Sequence, residues 1–187
     1  MKYIVRTCEG REDYAAYLKK HIPDLIECRD YERDPMGNFV KALKAAGDDS
    51  CVHLEDDAIL TKDFINKAGM VISTRPGMVI QFFSMRKADI EIGSRVERGA
   101  SFMATVCFYM PKKMSKGLLA YFPSWERREQ HPTGFDLTVA DYLKKTRQKY
   151  YIHCPNLVDH RVGKSEIDSR RSTKRVSVTF QDPIDFE

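Results

Sequence analysis

Residues 2–55 alternate between short apolar runs and amphipathic stretches, and that alternation narrows the possible folds more than any other feature of the chain. "KYIVRT" reads as a strand. After a turn at Gly10, "REDYAAYLKKHI" places Tyr14, Tyr17, Leu18 and Ile22 on one helical face until Pro23 stops it. "DLIEC" is a second strand, and "PMGNFVKALKAAG" a second helix, with Pro35 near its start and Gly47 at its end. "SCVHLE" is a third strand. A β-α-β-α-β order is satisfied by parallel strands with helices on their faces.

The pattern continues with Thr61 as the N-cap of a helix over 62–72, then a strand in "GMVIQFFS". Residues 85–102 lack clear periodicity and read as a long loop or small hairpin. "FMATVCFYM" is a strand, and Pro111 opens a helix through "KKMSKGLLAYF". "FDLTVADYLKKTRQ" is an amphipathic helix with Leu137, Ala140 and Leu143 inward, and "YYIHCP" is a last strand. The expectation is a single α/β domain over 1–187, its Rossmann-type mixed sheet mostly parallel, with helices on both faces.

No apolar run approaches the ~20 residues of a membrane span, and the start is too short in apolar residues for a signal peptide. A cytoplasmic protein is expected. Cys8, Cys28, Cys51, Cys107 and Cys154 show no paired spacing, which suits reduced thiols. The net charge is +4, and residues 161–175 hold six basic residues against two acids. A basic segment over 160–187 suits an anionic partner or a solvated tail.

"VHLEDDAIL" places Glu55, Asp56 and Asp57 at the end of the third strand. Ligands of open α/β sheets bind beyond the carboxyl ends of strands, and clustered carboxylates there suit Mn2+ or Mg2+. The alternative is an acidic turn, with Asp57 capping the next helix. Near the other end, "CPNLVDHRVGKSEI" offers His160, a competent manganese ligand, and Lys164, which can neutralise a phosphate.

Taken together, "VHLEDDAIL", "ATVCFYMPKKMSKGL" and "PNLVDHRVGKS" make the chain resemble the small glycosyltransferases of GT-A fold, over about residues 3–180. The nearest groups are the lipopolysaccharide and procollagen galactosyltransferases and the short sugar transferases of bacteriophages, some of which act on hydroxymethylated DNA bases. "LEDD" stands where this fold carries its D-x-D signature. The resemblance implies a nucleotide-sugar donor, most simply a UDP-sugar, with the basic C-terminal segment closing over it. Asp57 and His160 would ligate the metal directly, Glu55 would reach it through water, and Asp56 would hold the ribose. Lys164 and Ser165 would contact the diphosphate, and Arg6 and Arg11 would lie near the nucleotide.

Asp136 begins a helix on the acceptor side, where it serves either as the base for an acceptor hydroxyl or as a helix cap. Asp141 is expected to face solvent. Trp125 either stacks on a sugar or base or pins its loop. Arg86, Lys87, Arg95, Arg98, Arg127 and Arg128 make this side basic, as phosphate contacts would require. The acceptor is thus expected to be a hydroxylated DNA base or a glycan. A metal-dependent nuclease and a non-catalytic nucleic-acid-binding protein are the rivals from other classes.

Overall fold

The computed structural model describes residues 1–163 and 175–184. The opening alternation folds as read: β1 (Lys2–Cys8), α1 (Glu12–His21), β2 (Ile26–Asp30), α2 (Pro35–Ala46) and β3 (Cys51–Glu55). Pro35 enters α2 in its first turn, where its missing N–H costs nothing, and Asp34 accepts from Gly37 N. Gly47 ends the helix at φ +61, which a side chain rarely adopts.

Beyond β3 the chain departs from expectation. Asp56 and Asp57 do not lead into a helix; they turn into β4 (Ala58–Leu60). Thr61 caps nothing: it is buried and bridges Pro183. Helix α3 (Phe64–Thr74) starts later, from Asp63 in the left-handed region without a side-chain cap. The alternation of "AIL" is too short to be told from a helical first turn by periodicity.

β5 (Val79–Gln81), α4 (Asp89–Ile92), β6 (Arg95–Arg98) and β7 (Cys107–Met110) follow. Then come α5 (Met114–Tyr121), α6 (Phe135–Lys145), β8 (Lys149–Ile152) and β9 (Val158–His160). The main sheet runs β2-β1-β3-β7-β5-β8-β6, and β4 pairs with β9 in a separate ribbon. Three of the six main-sheet pairings are parallel and three antiparallel, so the sheet is mixed rather than mostly parallel. The reason lies between β5 and β7. The only α-helix there is the four-residue α4, too short for the helical crossover a parallel neighbour needs. Accordingly β6 and β7 run against β8, β3 and β5.

Helices cover both faces. On one, α2, α5 and α6 bury Phe39, Leu43, Leu118, Val139 and Leu143 with Phe108 and Tyr150 of the sheet. On the other, α1 and α3 bury Leu18, Ile22, Phe64 and Ala68 with Val52 and Leu54. Leu137, expected inward, is only half-buried, and Phe135 and Val139 take that place. Asp141, expected in solvent, accepts from Nε1 of Trp125 at 2.9 Å and from Arg127 at 3.3 Å. Trp125 is 3% exposed, so it pins its loop to α6. Among the described residues, no helix is long and apolar enough to cross a membrane.

Candidate metal and substrate site

The chain leaves β1 for β2 on one side and later returns to place β3 on the other, so strand order reverses between β1 and β3. Crevices open at such points, beyond the carboxyl ends of the strands. Glu55 ends β3 there. Its Oε1 accepts from Oγ1 of Thr105 at 2.7 Å and from Nη2 of Arg6 at 3.2 Å. Arg6 also donates to the Thr105 carbonyl at 3.0 Å and lies over the Phe135 ring at 4.3 Å. It is 6% exposed, buried beneath Glu55 rather than presented to a nucleotide.

His160 arrives from the far end of the sequence through the ribbon. β4 and β9 pair antiparallel with Ala58 opposite His160, and Arg161 N donates to the Asp57 carbonyl at 2.9 Å. The imidazole therefore lands beside Asp57, its Nε2 3.1 Å from Oδ2. One ligand atom each from Glu55, Asp57 and His160 lies within 4.8 Å of the others.

The second ring nitrogen settles the tautomer. Nδ1 of His160 sits 2.6 Å from the carbonyl oxygen of Arg161, which can only accept, so the proton of the neutral ring is on Nδ1. Nε2 keeps its lone pair, and Nη2 of Arg175 donates to it at 3.0 Å. Burial lowers the imidazole pKa, but the hydrogen bond and charge of Asp57 outweigh it, and the net effect is a rise. Burial also works to raise the Asp57 carboxyl; His160, Arg11 and Arg175 overcome it and hold the group below the ordinary carboxylate range.

Asp56 points elsewhere. It is 6% exposed, and Nη1 of Arg11 donates to its Oδ1 at 3.1 Å and to Oδ2 of Asp57 at 3.4 Å. Burial and the neighbouring Asp57 charge push the Asp56 carboxyl up to about 6. Asp56, of which a ribose contact is expected, thus pairs with Arg11 beneath the other acids. Arg11 in turn has the Tyr14 ring 5.0 Å away, with Arg161 at 4.0 Å from the same ring.

Glu55, Asp57 and His160 fit a divalent cation. Oδ1 of Asp57 is buried with no hydrogen-bond partner among the described residues, an orphan that a bound cation would satisfy. Two carboxylates and an imidazole suit Mn2+ better than Mg2+, which prefers an all-oxygen shell. Beside the cluster opens a cleft of about 250 Å³, lined by Glu55, Thr105, Phe135, Asp136, His160 and Arg175. Asp136 stands on its wall in the first turn of α6, half-buried, with Oδ1 accepting from Leu137 N at 2.9 Å.

Lys164 and Ser165 lie outside the described residues. Residues 175–184 of the C-terminal segment do return to the site region: Ser177 N donates to Asp159, and Ile184 N to the Leu60 carbonyl at 2.9 Å. Of the basic residues on the acceptor side, Arg95 is tied to Asp89 at 2.8 Å and Glu97 at 2.6 Å, and Arg127 to Asp141. Arg86 donates to the Ser101 carbonyl, and Arg128 lies over Phe122. Thr105 and Arg175 were not singled out from sequence. Thr105 carries no local signal, because only the antiparallel entry of β7 sets it against Glu55.

No family model and no curated protein matches the chain. Among solved structures the fold is similar to the crystal structure of A197 from STIV, with a TM-score of 0.53 and 11% identity over 97% of this chain and 95% of that one. At that identity the likeness is one of fold alone, a mixed α/β architecture extending over nearly the whole length of both chains.

Proposed function

We propose that this chain is a divalent-metal-dependent glycosyltransferase of GT-A type, moving a sugar from a nucleotide-diphosphate donor to an acceptor hydroxyl. The observation that carries the reading is the meeting of Glu55, Asp57 and His160 at the strand-order reversal, with Oδ1 of Asp57 left without a partner. A UDP-sugar is the donor by the sequence resemblance. The acceptor is a hydroxymethylated DNA base or a glycan hydroxyl.

When bound, a manganese ion supplies Lewis-acid charge against the negative charge that develops on the departing diphosphate. The chain's residues do the rest. Glu55 and Asp57 offer carboxylate oxygens and His160 offers Nε2, kept unprotonated in the neutral ring by the Arg161 carbonyl, in place of its hydrogen bond from Arg175. Arg6 and Thr105 hold Glu55 in place. Arg175 presents a guanidinium on the cleft wall for the anionic end of the donor; by the sequence resemblance, Lys164 and Ser165 are further diphosphate contacts. Asp136, across the same cleft, takes the acceptor proton.

A thermal-shift panel tests this with UDP, GDP, CDP and ADP, each with and without manganese. A ligand at ~100 times its dissociation constant adds about 2.7 kcal/mol to folding stability. A shift from one nucleotide that requires manganese is expected. No nucleotide shift, with manganese-dependent cutting of DNA, would reassign the same acids to a nuclease.

A further inference from the structure

The carboxyl ends of β1 and β3 carry the acids, and the opposite end of the sheet carries a second concavity of contrary charge. This groove of about 870 Å³ is bounded by Ser50 before β3, Gly77 before β5, and the start of β8. Lys112, Lys113 and Lys149 line it, and among the described residues no carboxylate does. All three lysines are exposed and form no ion pair among the described residues. Lys144 and Arg147, both exposed, stand just before Lys149 in the chain.

The nearest acids in the sequence of this end are already engaged: Asp48 by Lys116 at 3.5 Å and Asp49 by Lys2 at 3.1 Å. The backbone that carries the cations is held. Lys113 N donates to the Asp48 carbonyl at 3.1 Å, and Gln148 N to the Leu143 carbonyl at 2.8 Å. Lys113 and Arg147 sit at φ +67 and +55, a conformation that glycine or asparagine adopts at lower cost. Long cations therefore occupy fixed turns around a concave floor, with the Gln148 amide and Tyr142 on its walls.

We propose that this groove binds single-stranded nucleic acid through its phosphates. Exposed cations whose neighbouring acids, Asp48 and Asp49, already have lysine partners are the electrostatic match for a repeating anion. A duplex is too wide for a cavity of this size, whereas a few nucleotides of one strand fit it. Met1 apart, none of the large exposed apolar side chains lines the groove, so it lacks what would insert into a lipid surface. The inference does not depend on the transferase reading, because the groove and the acids lie at opposite ends of the strands.

Fluorescence polarisation of a labelled 12-mer oligothymidylate, with chelator and no nucleotide, tests it across a salt series. Binding by the unaltered protein is expected to weaken linearly in log–log form with salt. The variant K112E/K113E/K149E should lose tenfold or more in affinity near 50 mM salt. K112Q/K113Q/K149Q, a milder change, should lower the salt slope by about 2, since each lost phosphate contact removes ~0.7. R33E/K41E/K62E makes the same change in net charge elsewhere, at exposed positions, and should retain binding. Failure of the unaltered protein to bind, equal loss in both glutamate variants, or stronger binding to duplex or to anionic vesicles would each overturn the proposal. The manganese-dependent nucleotide shift of the groove variants is read separately, and its absence in the unaltered protein would bear on the acids alone.

Discussion

Nε2 of His160 and Oδ2 of Asp57 lie 3.1 Å apart, and each is an acceptor while the imidazole is neutral. Two lone pairs at that distance require something positive between or beside them: a proton, the Arg175 guanidinium that donates to Nε2 at 3.0 Å, or a metal ion. The acidic triplet is thus half of an arrangement whose other half comes from the ribbon of β4 and β9.

Replacing Asp57 by alanine removes both the orphan oxygen and the partner of His160. The manganese-dependent thermal shift should vanish, and sugar transfer should fall on the order of 10³-fold, as when a charge-stabilising group is lost. Transfer retained at the original rate would refute the metal role of Asp57. Circular dichroism should show the sheet still folded, because Asp57 lies in the turn that leaves it.

Thr105 touches no substrate; it holds one oxygen of Glu55 through a 2.7 Å hydrogen bond. Thr105→Val keeps the shape and deletes the donor. Manganese affinity, measured by calorimetry, should weaken 10–100-fold, the usual effect of losing a group that orients a ligand. Thr105→Ser should restore it. Unchanged affinity in the valine variant would mean that Arg6 alone positions Glu55.

His53 offers a pH test away from the site. It is fully buried, stacked on Phe108 at 5.3 Å, and neither ring nitrogen has a hydrogen-bond partner among the described residues. Burial, with a lesser push from Arg6, lowers its pKa to about 3. Its folded pKa is below the unfolded value, so between about pH 6.5 and 3 the unfolded chain binds more protons. Stability is full above that window and should fall as pH drops, by at most about 1.4 kcal/mol per unit from this group. His53→Leu should flatten the fall between pH 7 and pH 5 in urea titrations. Parallel curves for the two proteins would place the acid sensitivity elsewhere.

Asp136 can be separated into its two possible roles. As the base, its change to asparagine should cost 10²–10⁴-fold in transfer and leave nucleotide binding intact. As a helix-end contact only, the same change should leave the rate and, to within a few tenths of a kcal/mol, the stability unaltered, since asparagine keeps an oxygen for Leu137 N. Rate and melting temperature measured on one preparation distinguish them.

How far the sequence reached depended on the range of the interactions. The strands and helices up to Glu55 were legible because their periodicity and their stops at Pro23 and Gly47 are local. The cluster of Glu55, Asp57 and His160 was approached through motif chemistry, although Glu55 was expected to act through water and stands among the three possible ligands. The pairing of Asp56 with Arg11 and of Arg6 with Glu55 has a cause that no window of sequence shows: successive side chains of a strand and its turn face opposite ways, and burial decides which is left outside. The direction of β7 hung on the shortness of α4, and the contact of Thr105 with Glu55 followed from it. Asp141 looked solvent-facing until Trp125 was seen to need an acceptor.

The ribbon that brings His160 to Asp57 joins residues about a hundred positions apart, Ala58 with His160. Closing so long a loop is slow relative to forming neighbouring strands. The parallel pairs of β1, β2 and β3 can form before the ribbon does, but the cation site cannot. Metal binding would therefore be among the last events of folding, and a manganese-sensitive signal during refolding would time the docking of the chain's final third.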